Sequence, residues 1–249
     1  MPPSRLDQLL VVHGLAASRE RARALILAGD VLVDGVPATK AGQVVRDGQA
    51  VALRQPDHPW ASRGGLKLDH ALGAFGLDVT DRLALDIGAS TGGFTDVLLA
   101  RGARRVVALD VGRGQIDWRL RSDPRVVTIE GVNARRLAAA DLPEDARLFD
   151  LITIDVSFIS LRHILPALPP LIRPNGRVLA LVKPQFEAGR HEVGAGGIVR
   201  DAAVHTRVVA EVSAEALRVG LEPIGVTPSP IEGAHGNREF FLLARPIAP

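Results

Sequence analysis

From residue 83 onward, short apolar runs alternate with segments of helical periodicity. The runs LALDI, RVVALD, VVTIE, DLITID and RVLALV are nearly continuous in apolar residues, which is typical of strands that are buried on both faces. Helical patterns lie between and after them, the longest being AVHTRVVAEVSAEALRVGL. We therefore predict a doubly wound, Rossmann-like α/β domain. Two last strands, EPIGVTPSPI and REFFLLARP, complete its sheet.

The first part of the chain follows a different pattern. SRLDQLLVVHGL and SRERARALILAG have apolar residues at helical spacing, and Ser18 and Gly29 are suited to begin and end the second helix. VLVDGVPAT and VVRDGQAVAL each carry an Asp-Gly pair between apolar residues and predict two β-hairpins. Two helices followed by short strands predict a small α+β unit.

Residues 55–62 interrupt both patterns. The surrounding stretch RQPDHPWASRGG contains two prolines, a tryptophan and a glycine pair, which are typical of a segment between domains. We therefore predict a small domain at 1–54, a linker at 55–62 and the α/β domain at 63–249.

The composition excludes several kinds of site. The chain has 249 residues and no cysteine, so we expect no disulfide, zinc–thiolate site or thiol nucleophile, and a reducing cytoplasm as its compartment. His191 and His205 lie far apart with no acidic partner at zinc spacing, so we expect no metal. We also expect no signal peptide and no membrane span. The net charge of +2 permits an anionic partner without requiring one.

The N-terminal pattern resembles the small RNA-binding domain of ribosomal protein S4 and of many pseudouridine synthases. The residues that carry this resemblance are SRLDQLL, SRERARALILAGDVLVDG and Lys40. The resemblance implies RNA binding through the two-helix face, with phosphate contacts from Arg5, Arg19, Arg23 and Lys40. The alternative is a solvated basic helix face without a partner.

The stretch DIGASTGGFT lies between the first strand of the α/β domain and its helix. Its glycines let the backbone approach a ligand, but their spacing is neither that of a dinucleotide site nor that of a P-loop. Asp86 would repel a pyrophosphate and attract an ammonium or a sulfonium. The residues assigned to this cofactor loop are Asp86, Gly88, Ser90, Gly92, Gly93 and Phe94.

A second carboxylate, Asp110, ends the next strand, where acidic side chains commonly bind ribose hydroxyls. Together these features predict S-adenosylmethionine as the cofactor. Asp86 would lie near its cationic end, Asp110 at the ribose, and Glu130 or Asn133 near the adenine. The alternative is that the acidic strand ends only cap the helices that follow them.

Two further strand-end residues, Asp155 in DVSF and Lys183 in VKPQF, should face the same crevice. A lysine in a half-buried cleft loses its proton more readily than a free one and can serve as a base, oriented by a carboxylate. A ribose hydroxyl requires such a base for methyl transfer. No cysteine is present to attack a pyrimidine ring, and the Asn-Pro-Pro-aromatic tetrapeptide of amino-group methylation is absent.

Lys67, Asp155, Lys183 and Glu239 resemble the Lys-Asp-Lys-Glu tetrad of ribose 2′-O-methyltransferases of the FtsJ type. With its N-terminal unit, the whole chain resembles the haemolysin A (TlyA) family. The resemblance implies 2′-O-methylation of cytidines in ribosomal RNA or ribosomal subunits. It also implies that Lys183 is the base or orienter of the target hydroxyl, while the other three residues position it.

Other functions stay open at this point. One is an RNA-binding or ribosome-assembly factor without catalytic activity, which the complete tetrad disfavours. Another is a membrane-lytic protein, as the family name suggests, but no strongly amphipathic basic helix supports it. A pseudouridine synthase is disfavoured by the cofactor loop.

The glycine-rich stretch GRHEVGAGGIVRD occupies residues 189–201. We hypothesise a mobile loop that closes over RNA, with Arg190 and Arg200 meeting phosphates. Arg63 is assigned to the same RNA-binding role. The alternative is an ordinary surface loop.

Overall fold

The structure is a computed structural model that describes residues 4–16, 18–27, 29–54, 58–233 and 236–247. The chain divides into two compact units, Met1–Pro59 and Trp60–Pro249. The division falls inside the segment 55–62 that was predicted as a linker, and residues 55–57 of it lie outside the described residues. The exact limits of the two domains stay a prediction.

In the described part of the N-terminal unit there are two helices and five short strands. Its elements are β1 (Ser4–Arg5), α1 (Leu6–Val12), α2 (Arg19–Leu27), β2 (Val31–Val33), β3 (Val36–Pro37), β4 (Val44–Val45) and β5 (Val51–Leu53). The strands form a three-stranded antiparallel sheet in the order β3-β2-β5 and a separate pair of β1 with β4.

The second helix begins and packs as its sequence predicts. The Ser18 hydroxyl accepts a hydrogen bond from the Arg21 N–H at 3.1 Å, which satisfies one of the free donors at the helix start. Ala22, Leu25 and Ile26 are buried on one face of α2, in a small core shared with α1. The α+β character of this unit is therefore confirmed.

One of the two predicted hairpins is wrong. Asp34 and Gly35 have φ of 52° and 79°, as a tight turn between β2 and β3 requires. The strands of VVRDGQAVAL, β4 and β5, pair instead with β1 and β2. The Asp34 carboxylate accepts hydrogen bonds from Gln49 Nε2 and the Ala50 N–H, which draws this segment to the first hairpin.

The C-terminal unit is built around one seven-stranded sheet in the order β11-β12-β10-β9-β6-β7-β8. Its strands are β6 (Leu83–Ile87), β7 (Arg105–Asp110), β8 (Val126–Glu130), β9 (Phe149–Ile154), β10 (Ile172–Val182), β11 (Leu221–Pro228) and β12 (Phe240–Pro246). Its helices are α3 (Gly64–Ala74), α4 (Gly93–Ala100), α5 (Trp118–Arg121), α6 (Pro184–Glu187) and α7 (Ala202–Arg218). Strands β6 to β10 pair in parallel, and β12 lies antiparallel between β10 and β11. The predicted doubly wound α/β fold is confirmed.

The sheet is covered on both faces, which explains the apolar character of its strands. In β6, Leu85 and Ile87 pack into one core, while Ala84 between them packs into the core on the opposite face with Leu68 and Leu98. Each fully buried leucine or isoleucine side chain stabilises the fold by about 1.5–3 kcal/mol. No helix among the described residues is long and apolar enough to cross a membrane.

The proline-containing segment between β9 and β10 does not form the regular helix that its apolar residues favour. It forms three short 3-10 helices at Leu161–His163, Leu165–Ala167 and Pro169–Leu171. Prolines lack the N–H that the interior of a continuous α-helix needs, and here each proline lies in the first two positions of a short helix, so the segment is divided just before them.

Candidate active site

The carboxyl ends of β6, β7 and β9 border a cavity of about 520 Å³. Polar side chains on its wall include Ser90, Asp110, Asn133 and Asp155, and the apolar part of the wall includes Leu109. This position agrees with the rule that ligands of open α/β sheets bind beyond the carboxyl ends of the strands.

The glycine loop approaches β9 closely at Gly88. Its φ is +84°, and an added Cβ would lie 2.5 Å from the carbonyl oxygen of Asp155, so no larger residue fits. The Asp155 N–H donates to the carbonyl of Ile87 at 2.9 Å, which keeps the two strand ends together. Gly88 therefore brings its backbone to the cavity as predicted, although its role toward a cofactor stays a prediction.

Three other residues of the loop do not line the cavity. An added Cβ at Gly92 would overlap Leu120, and one at Gly93 would overlap Ser62. Phe94 is buried, with its ring stacked 6.1 Å from that of Phe241. The structure therefore places Gly92, Gly93 and Phe94 in the packing at the start of α4 rather than on the cavity wall.

Asp86 is also not brought to the cavity. It is fully buried, and its carboxylate accepts hydrogen bonds from the hydroxyls of Thr95 at 2.7 Å and Thr153 at 3.0 Å. Burial raises the pKa of Asp86 to about 7. The expected contact with the cationic end of a ligand is therefore not available to this side chain as placed. It connects β6 to α4 and β9, and the sequence analysis missed both threonines.

The other acidic strand ends are differently placed. Asp110 lines the cavity and accepts hydrogen bonds from the N–H groups of Ser90 at 2.8 Å and Gly112 at 2.7 Å. Glu130 lines a narrow adjoining pocket, not the main cavity, and accepts from the Gly114 N–H at 2.9 Å. Asn133 lines the main cavity and caps a short 3-10 helix.

Lys183 and Asp155 form an ion pair at the edge of this cavity. The Lys183 Nζ lies 2.6 Å from Asp155 Oδ1 and donates an aligned hydrogen bond to Ser157 Oγ at 3.0 Å. Asp155 and Ser157 both line the cavity. The sequence analysis gave Ser157 in DVSF no role. Its position two residues after Asp155 could have indicated that it also reaches the cavity.

Lys67 and Glu239 form a second ion pair, with 2.5 Å between Nζ and Oε2. Glu239 directly precedes β12 and Lys183 directly follows β10, and the antiparallel register of Val182 with Phe240 puts them opposite each other. A Cβ at Gly64, in the first turn of α3, would lie 3.6 Å from Asp155 Oδ2. The four residues of the predicted tetrad therefore meet at one edge of the sheet.

Phe158 is an exposed aromatic residue that lines the cavity. Its side chain is 91% exposed, and its φ of +65° is strained for a bulky residue. Its ring lies 5.2 Å from that of Phe186 at an angle of 49°, and it lines the cavity beside Ser157. The sequence analysis did not single it out, because exposure and backbone strain have no sequence signature here.

The predicted RNA-binding residues of the N-terminal unit differ in their surroundings. Arg5 and Arg19 each lie 3.0 Å from the carboxylate of buried Asp7. Their hydrogen bonds, chiefly that of Arg5, hold the pKa of this carboxyl well below its usual range. Both arginines keep about half of their surface exposed. Arg23 and Lys40 are exposed.

In the C-terminal unit, Arg190 and Arg200 are exposed and Arg63 is half-buried. The segment between Arg190 and Arg200 is anchored rather than extended into solvent. Gly194 bridges Ile198, and buried Val199 donates its N–H to Asn237 Oδ1 at 3.0 Å. The hypothesis of a loop that moves on RNA binding stays a prediction.

Comparison with known proteins agrees with this arrangement. The FtsJ-like methyltransferase family matches residues 60–245, and the S4 domain matches residues 4–51. The 16S/23S rRNA (cytidine-2′-O)-methyltransferase TlyA of Mycobacterium tuberculosis is 47% identical over 97% of this chain and 90% of that protein. Hemolysin A of Brachyspira hyodysenteriae is 39% identical over 95% of this chain and 98% of its own length.

A solved structure supports the same relationship. The structure of a candidate hemolysin from Streptococcus thermophilus is similar with a TM-score of 0.77 at 45% identity, covering 99% of this chain and 90% of that chain. The chain therefore belongs to the FtsJ-like methyltransferase family and, within it, to the TlyA proteins, and it joins the methyltransferase domain to an N-terminal S4 domain.

Proposed function

We propose that this protein transfers a methyl group from S-adenosylmethionine to the ribose 2′-hydroxyl of cytidines in ribosomal RNA. The observation that carries the proposal is the meeting of two lysine–carboxylate pairs at one edge of the sheet, beside a cavity bordered by a glycine loop. The 47% identity to a 16S/23S rRNA (cytidine-2′-O)-methyltransferase supports the same reaction and makes RNA of both ribosomal subunits the substrate to test.

The cavity has polar and apolar parts that match the ribose and the adenine of a nucleoside. Asp110 has lone pairs on both carboxylate oxygens beyond the two backbone hydrogen bonds it accepts, so it can bind ribose hydroxyls. Leu109 and Val132 provide apolar surface for an adenine ring, and Asn133 lies on the same wall. Gly88 allows backbone contact with a methionine moiety. When bound, S-adenosylmethionine supplies an electrophilic methyl group on a sulfonium.

Lys183 is the residue that we assign to the target hydroxyl. Its Nζ stands between Asp155 and Ser157 at the cavity edge, so it can hold the hydroxyl oxygen and direct a lone pair toward the methyl group. The proton that leaves the hydroxyl passes to the carboxylate of Asp155, because the Lys183 ammonium in the ion pair has no lone pair to accept it. Lys67 and Glu239 hold the neighbouring strand end and α3 in place around this pair.

The substrate side of the cavity suits a nucleotide taken out of a helix. Recognition of RNA at single positions commonly uses bases stacked on aromatic side chains. Phe158 is exposed beside Ser157 and backed by Phe186, so we assign it as the platform for the target base. Arg5, Arg19 and Lys40 are assigned to phosphates of the surrounding RNA, and the cytoplasm is the compartment that such a substrate implies.

The test is methyl transfer from labelled S-adenosylmethionine to purified small and large ribosomal subunits that lack the modification. We expect label in a 2′-O-methylcytidine, and a decrease of about 10³-fold for Lys183→Ala. Arg245→Ala is the control, because that side chain forms an exposed pair with Glu222 at the end of β12 opposite to Glu239. Cofactor binding without transfer to either subunit would favour the assembly factor, and lysis of erythrocytes by both wild type and Lys183→Ala would favour the haemolysin.

A further inference from the structure

The carboxylate of Glu239 is confined on two sides. Its Oε2 pairs with Lys67, and the residue is 3% exposed. Its Oε1 lies so close to the backbone of Gly233 that an added Cβ there would overlap it. The position of the Gly233 backbone therefore limits where the carboxylate can lie.

Asn237 holds that backbone. Its carbonyl oxygen accepts a hydrogen bond from the Gly233 N–H at 2.8 Å. Its side chain is buried, donates through Nδ2 to the Gly197 carbonyl at 2.9 Å, and accepts through Oδ1 from the Val199 N–H at 3.0 Å. One amide side chain thus fastens the turn that precedes Glu239 to the segment 189–201.

Val199, the residue of segment 189–201 that donates to Asn237, is itself held in place. Val199 is 2% exposed, and its carbonyl oxygen lies 2.8 Å from His205 Nε2. The His205 ring lies in turn 5.7 Å from that of Phe240, the residue after Glu239. The Val199 contact of Asn237 is therefore linked through buried His205 to partly buried Phe240 at the start of β12.

We propose that Asn237 is a positioning residue for methyl transfer, which holds the Gly233 turn so that Glu239 stays against Lys67. This inference rests on the proposed function. A misplacement of about 1 Å in a catalytic arrangement costs on the order of 10²-fold in rate. Because Asn237 does not line the cavity, its loss should slow the chemical step and leave cofactor affinity unchanged.

Three variants separate the contacts of Asn237. Asn237→Ala removes the hydrogen bonds to Val199 and Gly197, whereas Asn237→Asp keeps the acceptor for Val199 and loses the donor to Gly197. Gly233→Ala displaces the carboxylate directly. Asn175→Ala is the matched control, because Asn175 is exposed near the start of β10, whereas Lys183 follows the end of that strand. The measurements are the single-turnover rate on ribosomal subunits, the Kd for S-adenosylmethionine and the melting temperature.

We expect Asn237→Ala to lower the single-turnover rate by about 10²-fold at unchanged cofactor Kd, and Asn237→Asp to lower it less. Asn175→Ala should keep the wild-type rate. In a Glu239→Gln background, Asn237→Ala should lower the rate by no more than about two-fold further, since both residues act through one carboxylate.

An equal loss in both backgrounds would mean that Asn237 supports only general packing and would overturn the inference, as would a wild-type rate in Asn237→Ala. If the Asn237 variants unfold, Gly233→Ala in the two backgrounds decides the same question. A wild-type protein that methylates neither ribosomal subunit would remove the proposed function and this inference together. An active wild type with an unaffected Asn237→Ala removes the inference alone.

Discussion

The two lysine–carboxylate pairs have the same chemistry in different surroundings. In the Lys67–Glu239 pair the side chains are 11% and 2% exposed, whereas in the Lys183–Asp155 pair they are 10% and 20% exposed. Only the second pair has a member on the wall of the cavity, among the residues that the structure describes. One pair is therefore closed and holds α3 against the start of β12, while the other is open to the cavity.

Loss of the open pair should affect activity most. We expect Lys183→Ala to lower the single-turnover rate by about 10³-fold, because the hydroxyl loses the group that orients it. The free energy of unfolding should fall less than on loss of the closed pair, because the Asp155 side chain is 20% exposed whereas that of Glu239 is 2% exposed. Rate and urea denaturation are measured side by side, and a large loss of stability in Lys183→Ala would contradict the difference between the pairs.

Loss of the closed pair should lower the free energy of unfolding more than loss of the open pair does. Lys67→Met leaves the buried Glu239 carboxylate without its partner, which costs about 3–5 kcal/mol of stability. The double variant Lys67→Met/Glu239→Leu should recover most of that free energy in urea denaturation while staying inactive. If Lys67→Met alone had the stability of the wild type, the Glu239 carboxylate would have access to water in the variant, contrary to the expectation.

The open side can be examined at Phe158. We expect Phe158→Ala to weaken RNA binding by about 1–3 kcal/mol, because a base loses its stacking surface. Trp118→Ala is the aromatic control, since Trp118 is also exposed but does not line the cavity. Binding of ribosomal RNA fragments is measured by filter retention, and equal losses in both variants would refute a specific platform.

Another buried carboxylate, Asp86, accepts hydrogen bonds from two threonine hydroxyls. Its pKa of about 7 in the folded protein lies above the value of an unfolded aspartate. The folded state therefore binds more protons between about pH 4 and 7, and the contribution of Asp86 to stability falls as the pH rises through this range.

Asp86→Asn should remove this part of the pH dependence. The difference in melting temperature between variant and wild type is then expected to move in favour of the variant from pH 4 to pH 8. Thr95→Val is the companion variant, because it removes a donor to the carboxylate without removing the titrating group. A difference that does not depend on pH would mean that Asp86 stays ionised throughout.

Local sequence patterns correctly placed residues whose position depends on a single helix or on the common edge at which parallel strands end. Ser18 begins a helix because its hydroxyl needs only the N–H groups of the next turn. Asp110, Asp155 and the backbone of Gly88 reach the cavity because parallel strands end at a common edge. The second hairpin failed because either neighbour of a short strand can be its partner, and Asp34 draws that segment to β2.

The amino-acid sequence thus sufficed for the succession of strands and helices, since periodicity and glycine turns are local properties. Long-range packing was needed for the pairing of Lys67 with Glu239, which are 172 positions apart, and for the burial of Asp86 behind its two threonines. Carboxylates at strand ends look equivalent in a sequence. Their access to water and to lysine depends on which elements fold over them, and that difference assigns their roles.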